Sequence, residues 1–182
     1  GNIISYDASG NPVAIATGTD GQVLTSTGAG SPPAFETAAG SSVTDLKFLG
    51  QNGAEISNQL GDENLVTVTF ATERYDTGSD YSSTTFTAAE TGKYLLIAQV
   101  EVINLATNMD ELMLRIVTSN FTYRLDEYNP NRLDTKRTWN ISCIADMDAT
   151  DTAYVDMKVT GGSRVADIQQ YGTTFFCGAL LA

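Results

Sequence analysis

No histidine occurs among the 182 residues, and that absence excludes more chemistry than any motif present supplies. A Ser-His-Asp or Cys-His device needs an imidazole, as does a zinc site of the usual His-rich sort. Cysteine is scarce too: Cys143 and Cys177 are the only two, each inside an apolar, strand-like run (141–145 and 175–181). Thiols in such runs are expected to be buried and free rather than bridged. Basic residues number 10 against 22 acidic ones, a formal net charge of −12. Sequence-independent binding to nucleic acid or to an anionic bilayer needs a positive footprint that displaces counterions, so neither is an expected partner. The acidic balance has a plain reading, a self-repelling soluble surface, and a sharper one, binding of divalent cations.

Long apolar runs are also missing. None approaches the roughly eighteen residues of a membrane-spanning helix, and the start lacks the basic-then-apolar build of a signal peptide. The chain begins at Gly1 rather than Met, which suggests a piece of a longer protein, so a missing address says little about the whole. No stretch repeats apolar residues at helical spacing, and no Gly-rich stretch ends in Gly-Lys-Ser/Thr or leads into a helix, so a phosphate loop is absent. Aromatic and β-branched residues with 16 glycines favour strands and turns, and the expected class is all-β.

Residues 1–44 are rich in Gly, Ser, Thr and Ala, contain Asp7, Asp20 and Glu36 as their only charges, and cannot build a core alone. The punctuation at 28–33 and the small-residue run 38–42 place a boundary near residue 43, giving a stalk or connector (1–42) and a head domain (43–182). Within the head, 66–70 alternates as Val-Thr-Val-Thr-Phe, and 94–103 is more continuously apolar, as in a strand covered on both sides. The runs 112–117, 139–145, 153–159 and 173–181 complete the obvious strands. Residues 109–117 are also compatible with a short helix, but Leu112, Leu114 and Ile116 alternate with Met113, Arg115 and Val117, which favours a strand. Turns are expected at 78–80, 91–92, 129–131 and 161–163.

The stretch 70–81 ends in an acidic Gly turn and Tyr81, and is followed by Phe86-Thr87-Ala88 and Gly92-Lys93-Tyr94. It resembles the complement-globular-head and tumour-necrosis-factor-like jelly roll, with Ala89 where that family usually has Pro. Two further matches follow in order. Residues 149–155 resemble the family's Gly-Asp turn into the penultimate strand, with Thr150 in place of Gly and Asp151 in the acidic position. The terminal run 174–182 keeps Gly178 and Leu180-Leu181 of the family ending. The resemblance covers about 45–182 and implies a ten-strand, two-sheet sandwich in which three copies associate around an axis. Residues 16–28, followed by Pro32, Pro33, Ala34 and Phe35, resemble the connector of tailed-phage fibre and tail structural proteins. That likeness implies a thin three-chain shaft in which Val13, Ile15, Val23, Leu24 and Phe35 are covered by sister chains.

Chemistry-bearing candidates are few. Carboxylate pairs such as Asp126 with Glu127, or Asp146 with Asp148, leave a glycosidase open by residue type, but exposed acidic loops are rarely catalytic and no enzyme is expected. Asp146, Asp148 and Asp151 fall within six residues and suit calcium or, more plainly, a solvated turn; no other cofactor is implied. The glycosylation triplets at Asn120 and Asn140 carry no weight. The stretch 123–137 concentrates Tyr123, Arg124, Tyr128, Asn129, Asn131, Arg132, Lys136 and Arg137. Aromatic faces beside amide and guanidinium donors suit sugar rings and receptor loops; charges paired within an assembly explain the stretch equally. The leading expectation is a homotrimeric phage-virion fibre or spike tip on the particle surface. It would bind a host-surface glycan or protein and join other fibre or capsid proteins through its N-terminal segment. A capsid decoration or trimerisation cap is the alternative, and a polysaccharide-degrading tip the remotest.

Overall fold

The structure is a computed structural model describing residues 2–37, 45–60, 64–128, 135–162 and 165–181. The chain divides into two compact units, Gly1–Val43 and Thr44–Ala182.

The first unit is two antiparallel hairpins, β1 (Ile3–Tyr6) with β2 (Pro12–Ile15) and β3 (Gln22–Thr25) with β4 (Ala34–Thr37). Asp7 closes the first turn: its Oδ1 accepts the backbone N–H of Ser9 at 2.8 Å and of Asn11 at 2.9 Å, while Gly10 takes a φ of 81°. These bonds favour the ionised carboxylate and hold Asp7 below its ordinary pKa. Of this unit's described apolar side chains only Ile15 is buried.

The second unit is built from β5 (Lys47–Gln51), β6 (Ile56–Leu60), β7 (Val66–Thr67), β8 (Thr72–Asp76), β9 (Thr85–Thr87) and β10 (Gly92–Ile103), followed by β11 (Met109–Thr118), β12 (Thr122–Tyr128), β13 (Arg137–Met147), β14 (Thr152–Gly161), β15 (Val165–Ile168) and β16 (Phe175–Leu181). A 3-10 turn, Tyr171–Thr173, precedes β16. One sheet runs β6-β15-β10-β16-β5-β8 with β13 on the other side of β10; the other runs β12-β11-β14-β7 with β9 also on β14. The head therefore has twelve described strands where the sequence suggests ten. Two partners lie end to end on each of two long strands: β15 and β16 along β10, β7 and β9 along β14.

Alternation explains the core. On β10, Tyr94, Leu96, Ala98, Val100 and Val102 are at most 1% exposed, and from the facing sheet Leu112, Leu114, Ile116, Ala153, Val155 and Val159 at most 2%. Residues 109–117 are strand, paired with β12 on one side and β14 on the other, so a ladder overrides helix propensity. The run 66–70 pairs as a strand only at Val66–Thr67, yet Val68 and Phe70 still turn inward, and Val68 N donates to Val155 O at 2.9 Å. The reading of 94–103 as covered on both faces needs correcting for the single chain: Leu95 and Ile97 are only half-buried.

An aromatic cluster plugs one end of the core. Phe48 stacks on Phe86 and Tyr81 with centroids at 4.5 and 4.9 Å, and meets Phe176 edge-on at 5.0 Å. Gly178 makes this packing fit, because a Cβ there would lie 2.7 Å from Leu96 Cδ2, 2.8 Å from Phe48 Cε1 and 3.0 Å from the Leu95 carbonyl. Gly178→Ala is therefore expected to destabilise the head by about 1–3 kcal/mol, as overpacked cores do; denaturant unfolding measures it, and an unchanged midpoint would contradict the packing.

Candidate binding surfaces

The two sheets present different outer faces. Across the seven-stranded sheet, cross-strand partners share a face, so Tyr75, Leu49, Cys177 and Ile97 form one row outside the core, and Lys47, Ala179, Leu95 and Ile144 the next. Tyr75 is 44% exposed, Ile144 59% and Leu181, beside the second row, 38%. A shallow cavity of about 160 Å³ lies on this face between Tyr75, Ile97 and Cys177. Both thiols are free: Cys177 faces outward here and Cys143 inward against the core. Burial raises both, Cys143 to about 11, so neither is a reactive thiolate at neutral pH.

The five-stranded sheet is charged outside. Arg115 binds Asp156 through both carboxylate oxygens, Nε at 2.7 Å and a terminal nitrogen at 2.6 Å, and Asp156 is buried. Glu111 receives Lys158 at 3.1 Å and Arg124 at 3.6 Å. Met113 lies opposite Asp126 and Lys158 in this ladder and is 5% exposed, its thioether covered by the long charged stems. The Asp156 bond is the main reason the Arg115 guanidinium is held above its ordinary pKa. Glu111, Asp156 and Lys158 escaped the sequence reading; the signal available was their alternation with buried residues in the runs around them.

The stretch 123–137 is not one loop. Tyr123, Arg124 and Tyr128 belong to edge strand β12, and Lys136 and Arg137 stand at the entry to β13. Asn129, Asn131 and Arg132, with the expected turn at 129–131, lie outside the described residues. Arg124 binds Asp126 at 2.6 Å, and Lys136 reaches Glu101, which is 5% exposed and also accepts the Thr138 hydroxyl, at 3.0 Å. Arg137 is half-buried opposite Val102. Tyr123 turns toward the neighbouring strand, packs edge-on against Phe121 at 5.1 Å and donates its hydroxyl to Ile144 O at 3.3 Å. Tyr128 and Phe121 stay exposed at 68% and 62%. What this edge gathers is thus Phe121 and Tyr123, tied to the β13 main chain at Ile144, with Tyr128 at the far end of β12. Asp126 and Glu127 point to opposite faces: Asp126 is held by Arg124, and Glu127 accepts the Trp139 indole N–H at 2.7 Å. They do not converge on one bond.

Asp146, Asp148 and Asp151 do not converge either. Asp146 pairs with Lys93 at 2.7 Å, while Asp151 Oδ2 accepts Asn120 Nδ2 at 2.7 Å and Asp148 N at 2.9 Å, closing the turn. No group of three metal-ligating side chains forms among the described residues. In this turn Thr150 has a φ of 79°, a left-handed conformation that disfavours β-branched residues and that glycine adopts freely.

Neither a family model nor a curated protein sequence matches the chain. Solved structures do match in shape. The globular domain of zebrafish complement 1qA superimposes with a TM-score of 0.55 at 15% identity, over 76% of this chain and 98% of that one. Murine APRIL gives 0.51 at 13%, over 74% and 99%, and Eiger TNF from S. frugiperda gives 0.50 at 13%, over 76% and 93%. The head has the jelly-roll fold of complement globular heads and tumour-necrosis-factor-like domains. At these identities the likeness shows the fold alone.

Two substitutions test the geometry. Thr150→Gly should stabilise the head by about 0.5–1 kcal/mol, the relief of left-handed strain less the added chain entropy. Asp156→Asn should cost about 3 kcal/mol, since it leaves Arg115 without its carboxylate on a crowded face. Denaturant midpoints of the two variants should therefore move in opposite directions.

Proposed function

We propose that the chain is a homotrimeric receptor-binding tip of a phage-virion fibre or spike, its jelly-roll heads assembled by the outer face of the seven-stranded sheet. The observation that carries this reading is the asymmetry of the two outer faces, one a ladder of ion pairs and the other a pair of mostly apolar rows with Lys47 and Ser142 at their ends. An apolar face crossing five strands, with exposed Tyr75, Ile144 and Leu181, is costly to leave in water. The edge at Phe121 and Tyr123 is a second apolar surface of different shape. A face and an edge are not self-complementary, so copies join head to tail, and such contacts close into rings. The family resemblance supplies the number three.

The first unit supports the same assembly. Its hairpins leave Ile3 at 42%, Ile4 at 70%, Tyr6 at 64% and Val23 and Leu24 at 44–45% exposed, so a lone copy hides little apolar surface. Three copies wound together cover these side chains and form the shaft that the connector-like sequence implies. Host recognition then rests on three copies of a weak site acting together through effective concentration, with Tyr128 and the neighbouring 129–137 segment as the proposed contact. A cap that only nucleates trimers is the second reading. The observation favouring it is that Arg124 and Lys136, two donors expected to meet a receptor, are engaged by carboxylates of the same chain.

Native mass measurement should give three copies at micromolar concentration, and Ile97→Asp on the face or Phe121→Asp at the edge should each release compact single subunits. A wild-type chain that stays a monomer would defeat the assembly. The receptor role is checked separately, by binding of the trimer to host cells and competition with virions. A trimer that neither binds nor competes leaves the cap.

A further inference from the structure

Two carboxylate oxygens in the head are sealed from solvent without a hydrogen-bond donor: Asp76 Oδ1 and Asp80 Oδ2. They flank the turn leaving β8, and its backbone holds them in place. Tyr81 N donates to Asp76 Oδ2 at 2.9 Å, and Thr87 N donates to the Asp80 carbonyl at 2.8 Å. Gly78 lies beneath the Asp80 carboxylate, where a Cβ would come within 2.2 Å of Oδ1, and Ser79 takes a φ of 57°. The two carboxylates thus sit on one short turn, Asp76 fixed by Tyr81 N and Asp80 seated over Gly78, each with one oxygen closed off from water.

Ionised carboxylates only accept hydrogen bonds, so two of them cannot bond each other, and like charges at such range do not both persist in a buried place. We infer that Asp76 and Asp80 share one proton, Asp80 Oδ2–H donating to Asp76 Oδ1, and that this proton closes the 76–81 turn. The shared hydrogen satisfies both orphaned oxygens at once. Burial of Asp80, then the charge and hydrogen bond of Asp76, raise Asp80 in keeping with this. The other titratable groups that face the site are acids: Tyr94 of β10, whose phenol feels Asp80 and Glu90, and Tyr81, which feels Glu73. None of them supplies a cation to replace the proton.

The sign of the pH dependence follows. A carboxyl held above its ordinary pKa of about 3.9 contributes stability that is complete below that value and is lost as pH rises through the folded-state pKa. Once the proton leaves, repulsion drives Asp80 toward the adjoining cavity of about 510 Å³, lined by Ser79, Ser82, Thr85, Thr87 and Thr150 among others.

The test compares the full chain with Asp80→Asn, whose amide N–H donates to Asp76 at every pH. The two melting temperatures should agree near pH 4 and diverge as pH rises, the variant melting ~2–4 °C higher by pH 8. A difference independent of pH would overturn the proposal. So would calcium chloride that raises wild type at pH 8 and leaves Asp80→Asn unmoved, since a cation rather than a proton would then bridge the oxygens. Carboxyl carbon shifts of the wild type give a measurement that needs no variant. One carboxyl of the pair should titrate above the ordinary aspartate range, and two ordinary titrations would refute the shared proton.

Discussion

Strand β10 is the constraint on which the head depends. Its odd and even positions face different environments: Tyr94, Leu96, Ala98, Val100 and Val102 fill the sandwich, while Leu95 and Ile97 look out of it between Lys93 on one side and Gln99 and Glu101 on the other. A two-sheet sandwich needs only the first set. Register cannot slip by one residue without exchanging them, and three antiparallel partners, β13, β15 and β16, pin it. The second set is a commitment to another surface, and the arrangement proposed for three copies follows from it.

The opposite sheet shows what a solvated face looks like in the same molecule. There the outward positions of β11, β12 and β14 carry Glu111, Arg115, Arg124, Asp126, Asp156 and Lys158, bound to one another in a ladder. The net charge of −12 coexists with this local neutralisation because much of the acid excess lies elsewhere, in turns and at strand ends. Ion pairs already satisfied within one copy give a second copy little to bind, so the proposed assembly draws on the apolar face instead.

Much of the architecture was legible in the sequence because strand burial is written at period two. Leu112, Leu114 and Ile116 identified β11 against its helix-forming composition, and Gly92, Gly178 and the Phe86-Thr87-Ala88 segment located the fold family that the shape comparison supports. What was not legible depended on pairing across distance. A broken strand partner, such as β7 followed by β9, shows up only when the long strand it pairs with is in place. The candidate binding stretch was chosen by composition, which sees Arg124 and Lys136 as donors but cannot see Glu111 and Glu101 arriving from β11 and β10 to engage them. Likewise the aspartates at 146, 148 and 151 look like a ligand set in one dimension, whereas in three dimensions one pairs with Lys93 and another caps its own turn.

Local departures from easy folding gather at one place. Thr150, left-handed despite its branched side chain, lines the same cavity as Asp80, and the two turns are tied through the segment between them: Ala88 N donates to Asp151 O, Thr150 N to Ala88 O, and Thr87 N to Asp80 O. Backbone strain at Thr150 and Ser79 is thus carried by two turns that share hydrogen bonds and one cavity. Leu96, Phe48 and Gly178, packed against one another in the core, place the rigid part of the molecule under the apolar face instead. The proposed assembly would therefore use the face backed by close core packing, on the side of the fold that these two turns do not build.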